Sequence, residues 1–159
     1  MPDWSIWFIA LGANLLIGVL AWLYSIPKRN VSIVDGLWSL MILASLLVYV
    51  LLSSASGGRM ILVVAMVSVW AVRLSAHITV RNHGKPEDHR YRTIRNNNQP
   101  RFWLKSLYIV FGLQAVLAWL VSLPAVAAAA SPAPLGWLDF AAVVLWSAGM
   151  FFEAVGDWH

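Results

Sequence analysis

The sequence predicts an all-α protein, a polytopic transmembrane bundle of about five helices, and three observations carry that expectation. First, 60% of the 159 residues are hydrophobic and 11% are charged, against about 25% charged in an ordinary soluble domain. Second, the mean hydropathy is +0.73, and the apolar residues fall into runs of about 20, the length a helix needs to cross a hydrocarbon core. Third, the Lys and Arg residues collect in alternate connections, as they do in chains with a fixed orientation across a bilayer.

The first run, Trp4–Ile26, follows Met1-Pro2-Asp3. Without a basic leader or a small-residue cleavage site it reads as a retained span, not a signal peptide. Pro27-Lys28-Arg29-Asn30 ends it. The second run is Ile33–Leu52, closed by Ser53-Ser54-Ala55-Ser56-Gly57-Gly58. The third is Met60–Val80, the fourth Leu104–Pro124 and the fifth Leu135–Val155, the last preceded by Ser131-Pro132-Ala133-Pro134. Ala125–Ala130 reads either as an extension of the fourth span or as part of a short apolar loop. No run alternates in polarity as a membrane strand does. The chain is expected to be one transmembrane domain with no soluble appendage.

The connections set the orientation. The first holds Lys28 and Arg29, and the third holds Arg81, Lys85, Arg90, Arg92, Arg95, Arg101 and Lys105. The second holds Arg59, and the fourth holds no basic residue. These loops predict an outside N-terminus with the first and third connections cytoplasmic. The pI near 9.9 is then mostly a topology signal, with anionic lipid headgroups as partners and no nucleic acid. Cysteine is absent, which removes disulfides, thiolate nucleophiles and Cys-ligated metals. His77, His83 and His89 are not spaced for one helical face, so no metal site is expected.

Polar residues inside or beside spans are costly unless they face protein or a cavity. Asn14, with Ala10 and Gly18 at four-residue spacing, reads as an interhelical packing stripe. Gln114 reads as a buried hydrogen-bonding residue between helices. Asp35 sits at the start of the second span, either as a carboxylate favoured by the helix dipole or as a polar group at a cavity mouth. Trp70, Arg73, His77 and Arg81 share one face of the third span. An Arg near mid-span costs roughly 2.5–3.5 kcal/mol on insertion scales, so an anionic partner is expected for Arg73: Asp35, Glu153 or a ligand phosphate. The third connection, with Asp88, Arg90 and Tyr91, is either a solvated basic loop or one wall of a pocket for an anionic ligand. Glu153 and Asp157 sit at i and i+4 near the end of the fifth span. There they oppose the helix dipole, so loop cations or the hydroxyls and amide of a cofactor are expected to offset them.

Four strings in order then make the chain recognisable: Ser32-Ile33-Val34-Asp35-Gly36-Leu37-Trp38; Trp70 to Arg81 with Arg73, Leu74, Ser75, His77 and Ile78 between; Gly84-Lys85, Glu87-Asp88 and Arg90-Tyr91; and Gly149, Glu153, Gly156-Asp157-Trp158. The chain resembles a family of uncharacterised, mainly bacterial multi-span membrane proteins related to steroid 5-alpha-reductases. That resemblance implies an NADPH-dependent reductase of a carbon–carbon double bond in a hydrophobic, lipid- or steroid-like substrate, in a bacterial inner membrane. It further implies that Glu153 and Asp157 contact the cofactor, and it offers Asp35 as the acid that polarises the substrate. Members of such families continue beyond the Asp-Trp pair into two further spans with an Arg-His-Pro-Asn-Tyr-like string. The resemblance therefore implies the N-terminal part of a seven-span fold, inactive as it stands. Two alternatives stay open: a non-enzymatic bundle that binds lipid or a partner subunit, and a membrane methyltransferase, whose members share this kind of bundle. Substrate identity and oligomeric state are not specified.

Overall fold

The structure, a computed structural model, describes residues 1–158. Every regular element among them is helical, and five helical segments are long and apolar enough to cross a membrane. The first three are α1 (Trp4–Lys28), α2 (Ile33–Leu52) and α3 (Gly58–Asn82). A short helix, α4 (His89–Asn97), occupies the third connection. The fourth apolar segment runs without a break from Phe102 to Ala129. It consists of α5 (Phe102–Ser106), a π-helical stretch over Leu107–Gly112, α6 (Leu113–Val121) and α7 (Leu123–Ala129). The fifth is α8 (Trp137–Asp157).

Several helix ends are set by local side-chain chemistry. The Asp3 carboxylate accepts from the Ser5 and Ile6 amides and caps α1. Pro27 lies in the last turn of α1, and Arg29 closes that helix in the left-handed conformation. Asp88 caps α4 through the Arg90 amide, at 2.9 Å. Asp139 returns to the Gly136 amide at the start of α8, at 2.8 Å.

Helix α2 is the centre of the bundle. It buries Val34, Gly36, Ser39, Met41, Ile42, Ser45, Leu46 and Tyr49, more than one helical face can hold, because α1, α3 and the fourth segment all pack on it. Helix α1 buries one stripe: Trp7, Ala10, Asn14, Gly18, Ala21 and Ser25. At Gly18 a Cβ would stand 3.3 Å from the Phe111 carbonyl oxygen, so the small residue lets α1 lie directly on the π-helical backbone. The fully buried Asn14 donates to the Ala115 carbonyl at 3.3 Å, which is the interhelical bond its position predicts. At the far end of the same seam Trp7 and Trp119 stack with centroids 3.9 Å apart, and the Trp119 indole N–H donates to the Trp7 carbonyl at 2.8 Å.

Of the two readings of Ala125–Ala130, the structure takes the extension of the fourth span: Leu123–Ala129 is helical, and Val126 and Ala129 are buried. One expectation changes. Gln114 is only partly buried, because Ala115 and Ala118, not Gln114, face the core cluster with Met41 and Ile42.

Helix α3 is barely buried, and α8 has no buried residue at all. Large apolar side chains such as Leu145 and Phe152 stand more than 70% exposed along α8. In water such a helix would be untenable, whereas in hydrocarbon its apolar surface is at no disadvantage.

Candidate functional site

Two polar clusters sit at the basic end of the bundle, on opposite faces of α3. Ala71, Ser75 and Thr79 lie against α2. The Ser39 hydroxyl donates to the Ala71 carbonyl at 2.9 Å, and a Cβ on Gly36 would come within 2.9 Å of the Thr79 hydroxyl. Arg73 and His77 are each two positions from that row. At 3.6 residues per turn this rotates them about 200° away, toward α8.

On the α8 side, Arg73 donates one arm of its guanidinium to Glu153 Oε1 at 2.6 Å and the other to the Asp157 carboxylate. His77 Nε2 stands 3.5 Å from the other Asp157 oxygen. The i, i+4 spacing puts both carboxylates on one face of α8, and the planar fork of arginine is the side chain that can span them. The anionic partner expected for Arg73 is thus Glu153 together with Asp157, and not Asp35. The groups that offset the two carboxylates come from α3 instead of the third connection. Trp70 does not join this cluster, since it packs on the core near Met41 and Ala118. Arg81, one turn beyond His77, is exposed.

On the α2 side, Asp35 lies in the first turn of α2, but its main partners are elsewhere. The Tyr91 hydroxyl donates to Asp35 Oδ1 at 2.5 Å, and Arg90 Nη2 donates to Oδ2 at 3.0 Å. Arg90 also bonds Asp88, so Asp35, Arg90 and Asp88 form a chain of alternating charge ending on the α4 cap. Tyr91 is 6% exposed. Burial first, and then the bond to Asp35, raises its pKa well above the ordinary 10; the phenol therefore stays protonated and remains a donor. The Asp88 carboxyl is held down to about 2, chiefly by its hydrogen bonds from Arg90.

The α4 helix was not expected from the sequence, and it is what brings Tyr91 and Arg90 to Asp35. Its docking rests on Glu87, which the sequence placed in the third recognisable string without assigning it a role. This carboxylate is 8% exposed. It accepts from the Val31 amide at 2.9 Å and from Arg95 at 2.9 and 2.7 Å. Burial works against its charge, but the Arg95 pair and the Val31 amide outweigh that and leave its pKa lowered. The Ser32 hydroxyl accepts from the Asp88 amide at 2.9 Å. The third connection is therefore a folded cap on the α1–α2 corner and not a solvated loop. Asp88 followed by apolar Tyr91 and Ile94 at three-residue spacing was the local signal for it.

At the opposite end Arg59 forks onto Asp139 at 2.7 Å for each arm and also donates to Ser131 Oγ and the Pro134 carbonyl. Helix α8 is thereby tied to α3 by arginine–carboxylate pairs near both of its ends.

Together the fold and these clusters define a polytopic helical bundle of the integral-membrane type, with ionised networks held between helices at its basic end. The chain belongs to the family described as "Protein of unknown function (DUF1295)", whose model matches residues 21–159. None of the curated proteins and none of the solved structures matches it.

Proposed function

We propose that this chain forms part of a membrane-embedded, NADPH-dependent reductase of a carbon–carbon double bond conjugated to a carbonyl, in a hydrophobic, steroid-like or other lipid-like substrate. The observation that carries the reading is the Tyr91–Asp35 pair. A buried phenol, kept protonated and oriented by a carboxylate at 2.5 Å, is suited to polarise a carbonyl oxygen. The Oη proton now given to Asp35 passes into a hydrogen bond with the substrate oxygen, and Arg90 holds the Asp35 charge in place.

The α8 carboxylates fit the polar parts of a dinucleotide. Glu153 uses one oxygen on Arg73; its second oxygen makes no hydrogen bond among the described residues and is free to accept from ribose hydroxyls or a carboxamide. Asp157, beside His77, offers a second acceptor. NADPH bound there would supply the hydride for the carbon β to the carbonyl, and solvent the proton for the α-carbon. Arg73 bonds both carboxylates and holds them on one face of α8. Orientation follows the basic connections, with the α4 end cytoplasmic in a bacterial inner membrane and the soluble cofactor arriving from that side.

The test is saturable binding of NADPH to the protein in lipid nanodiscs. Asp157→Asn and Glu153→Gln are each expected to weaken binding by about tenfold, the loss of one charge-assisted hydrogen bond. Tyr91→Phe is expected to leave that binding intact and, in the reductase of which this chain forms part, to abolish enone reduction. Absence of NADPH binding by the wild-type protein sinks the reading, and binding of S-adenosylmethionine in its place identifies a methyltransferase. A second reading, a non-enzymatic bundle that docks a partner subunit, is favoured by α8, which leans on the bundle through α3 and buries nothing. Recovery of one fixed membrane partner, without dinucleotide binding, supports that reading.

A further inference from the structure

A cleft of about 990 Å³ opens at the basic end, between the last turn of α1, α4 and the start of the fourth segment. Arg73, His77, Glu153, Asp157, Asp35, Arg90 and Tyr91 are not among its lining residues, although Glu87 and Arg95 of the α4 cap form part of its wall. Its walls carry Arg29, Arg92, Arg95 and Arg101 against one carboxylate, Glu87. Arg95 is engaged by Glu87. Among the described residues Arg29, Arg92 and Arg101 make no ion pair, which leaves the cleft with an uncompensated positive charge.

A second, independent feature coincides with it. Arg29 at φ 50° and Arg101 at φ 65° are the two non-glycine residues with positive φ among those described, and both line this cleft. Glycine or asparagine holds that backbone with less strain. Two long cationic side chains placed there, facing the same space, are not what folding alone selects, and strain of this kind collects at ligand sites.

Below the arginines the wall turns apolar, through Ile26, Phe102 and Trp103. Trp103 is about half exposed and stacks on Trp22 at 6.3 Å, whose indole N–H donates to the Trp103 carbonyl at 2.6 Å. Paired tryptophans of this kind mark the headgroup level of a bilayer. The exposed Leu23, Leu104 and Tyr108 continue the apolar surface toward the membrane interior.

We propose that this cleft is a phosphate-binding site at the membrane interface. Arg29, Arg92 and Arg101 take a phosphate group, and Ile26 and Trp103 take the apolar body attached to it. Guanidinium forks match phosphate oxygens in geometry as well as charge. The phosphate belongs either to an anionic phospholipid of the surrounding leaflet or to a soluble phosphorylated molecule.

The test titrates the purified protein in neutral detergent with phosphatidylglycerol, phosphatidylcholine and inorganic pyrophosphate, with bound ligand read by native mass spectrometry. The variant is Arg29→Asn/Arg92→Ala/Arg101→Asn, in which asparagine keeps the left-handed backbone tolerable. Lys85→Ala, an exposed charge outside the cleft, is the control. Each arginine is expected to contribute about fivefold, so the triple variant weakens binding by about a hundredfold if the effects add. Phosphatidylglycerol held more tightly than phosphatidylcholine, with that preference lost in the triple variant and kept in the control, assigns the site to a lipid headgroup. Saturable pyrophosphate binding with the same arginine dependence, and no preference between lipids, assigns it to a soluble phosphate. The proposal is overturned if the wild type binds neither, or if the triple variant binds as the wild type does.

Discussion

Replacing Arg95 by alanine isolates the interaction that builds the α4 cap. Arg95 gives Glu87 two charge-assisted hydrogen bonds at 2.9 and 2.7 Å and gives the Arg29 carbonyl a third at 3.1 Å. Its guanidinium also lies 4.5 Å from the centre of the Phe102 ring. A buried carboxylate stripped of its partner costs about 3–5 kcal/mol. Two features reduce that here: the Val31 amide still supports Glu87 Oε1, and the cleft admits water to the vacated position. The expected loss is about 2–3 kcal/mol for the docking of α4. Glu87→Gln, which leaves the quarter-exposed Arg95 without its carboxylate, costs about 1–2 kcal/mol. The double variant recovers about 1.5 kcal/mol relative to the sum of the single effects.

Hydrogen exchange at the α4 amides reads this opening free energy directly, and thermal unfolding in detergent reads the global effect. Acid adds a second handle with a definite sign. The folded pKa of Glu87 lies below its ordinary 4.5, so its contribution is complete above that value and is lost as the pH falls through the folded one. Asp88, lowered from 3.8 to about 2, follows the same rule across that interval. The cap should therefore hold to about pH 4.5 and loosen progressively below it. An Arg95→Ala protein whose α4 amides exchange within about 0.5 kcal/mol of the wild type would refute the reasoning.

Three further outcomes follow from the same geometry. An Arg73→Ala and Glu153→Ala double-mutant cycle should give a coupling of about 1–2 kcal/mol in thermal stability; additivity of the two changes would mean that α3 and α8 are not joined there. Gly18→Leu should destabilise by about 2–3 kcal/mol by forcing α1 off the Phe111 carbonyl, whereas the same change at Gly149, where a Cβ meets open space, should be nearly silent. Tyr91→Phe should remove about 1–2 kcal/mol from α4 docking. In the wild type the Tyr91 contribution should persist up to about pH 10 and fade above it, because a raised phenol pKa stabilises the fold below the unfolded value and is lost as the pH rises. Ultraviolet titration of the tyrosinate absorbance in both proteins checks that point.

The sequence by itself determined the class of fold and the bounds of its main elements, because hydropathy and helical periodicity are local properties. Twenty apolar residues between breakers must form a helix in hydrocarbon whatever surrounds them, and the five runs appear within a few residues of their expected ends. The packing stripe through Asn14 and Gly18 was legible for the same reason, as were the α3 face shared by Arg73 and His77 and the α8 face shared by Glu153 and Asp157. Partner choice was not. Whether Arg73 met Asp35 or Glu153 depended on which side of α3 each neighbouring helix took, and spacing along one helix carries no information about that. The Asp35–Tyr91 bond spans 56 positions, and the Glu87–Val31 bond spans 56 as well. Both exist because a polar nine-residue helix, signalled only by its Asp88 cap and the Tyr91–Ile94 spacing, folds back over the α1–α2 corner. Tertiary structure alone decided those contacts, since they satisfy buried charges whose partners are distant in the chain and adjacent only once the bundle has formed.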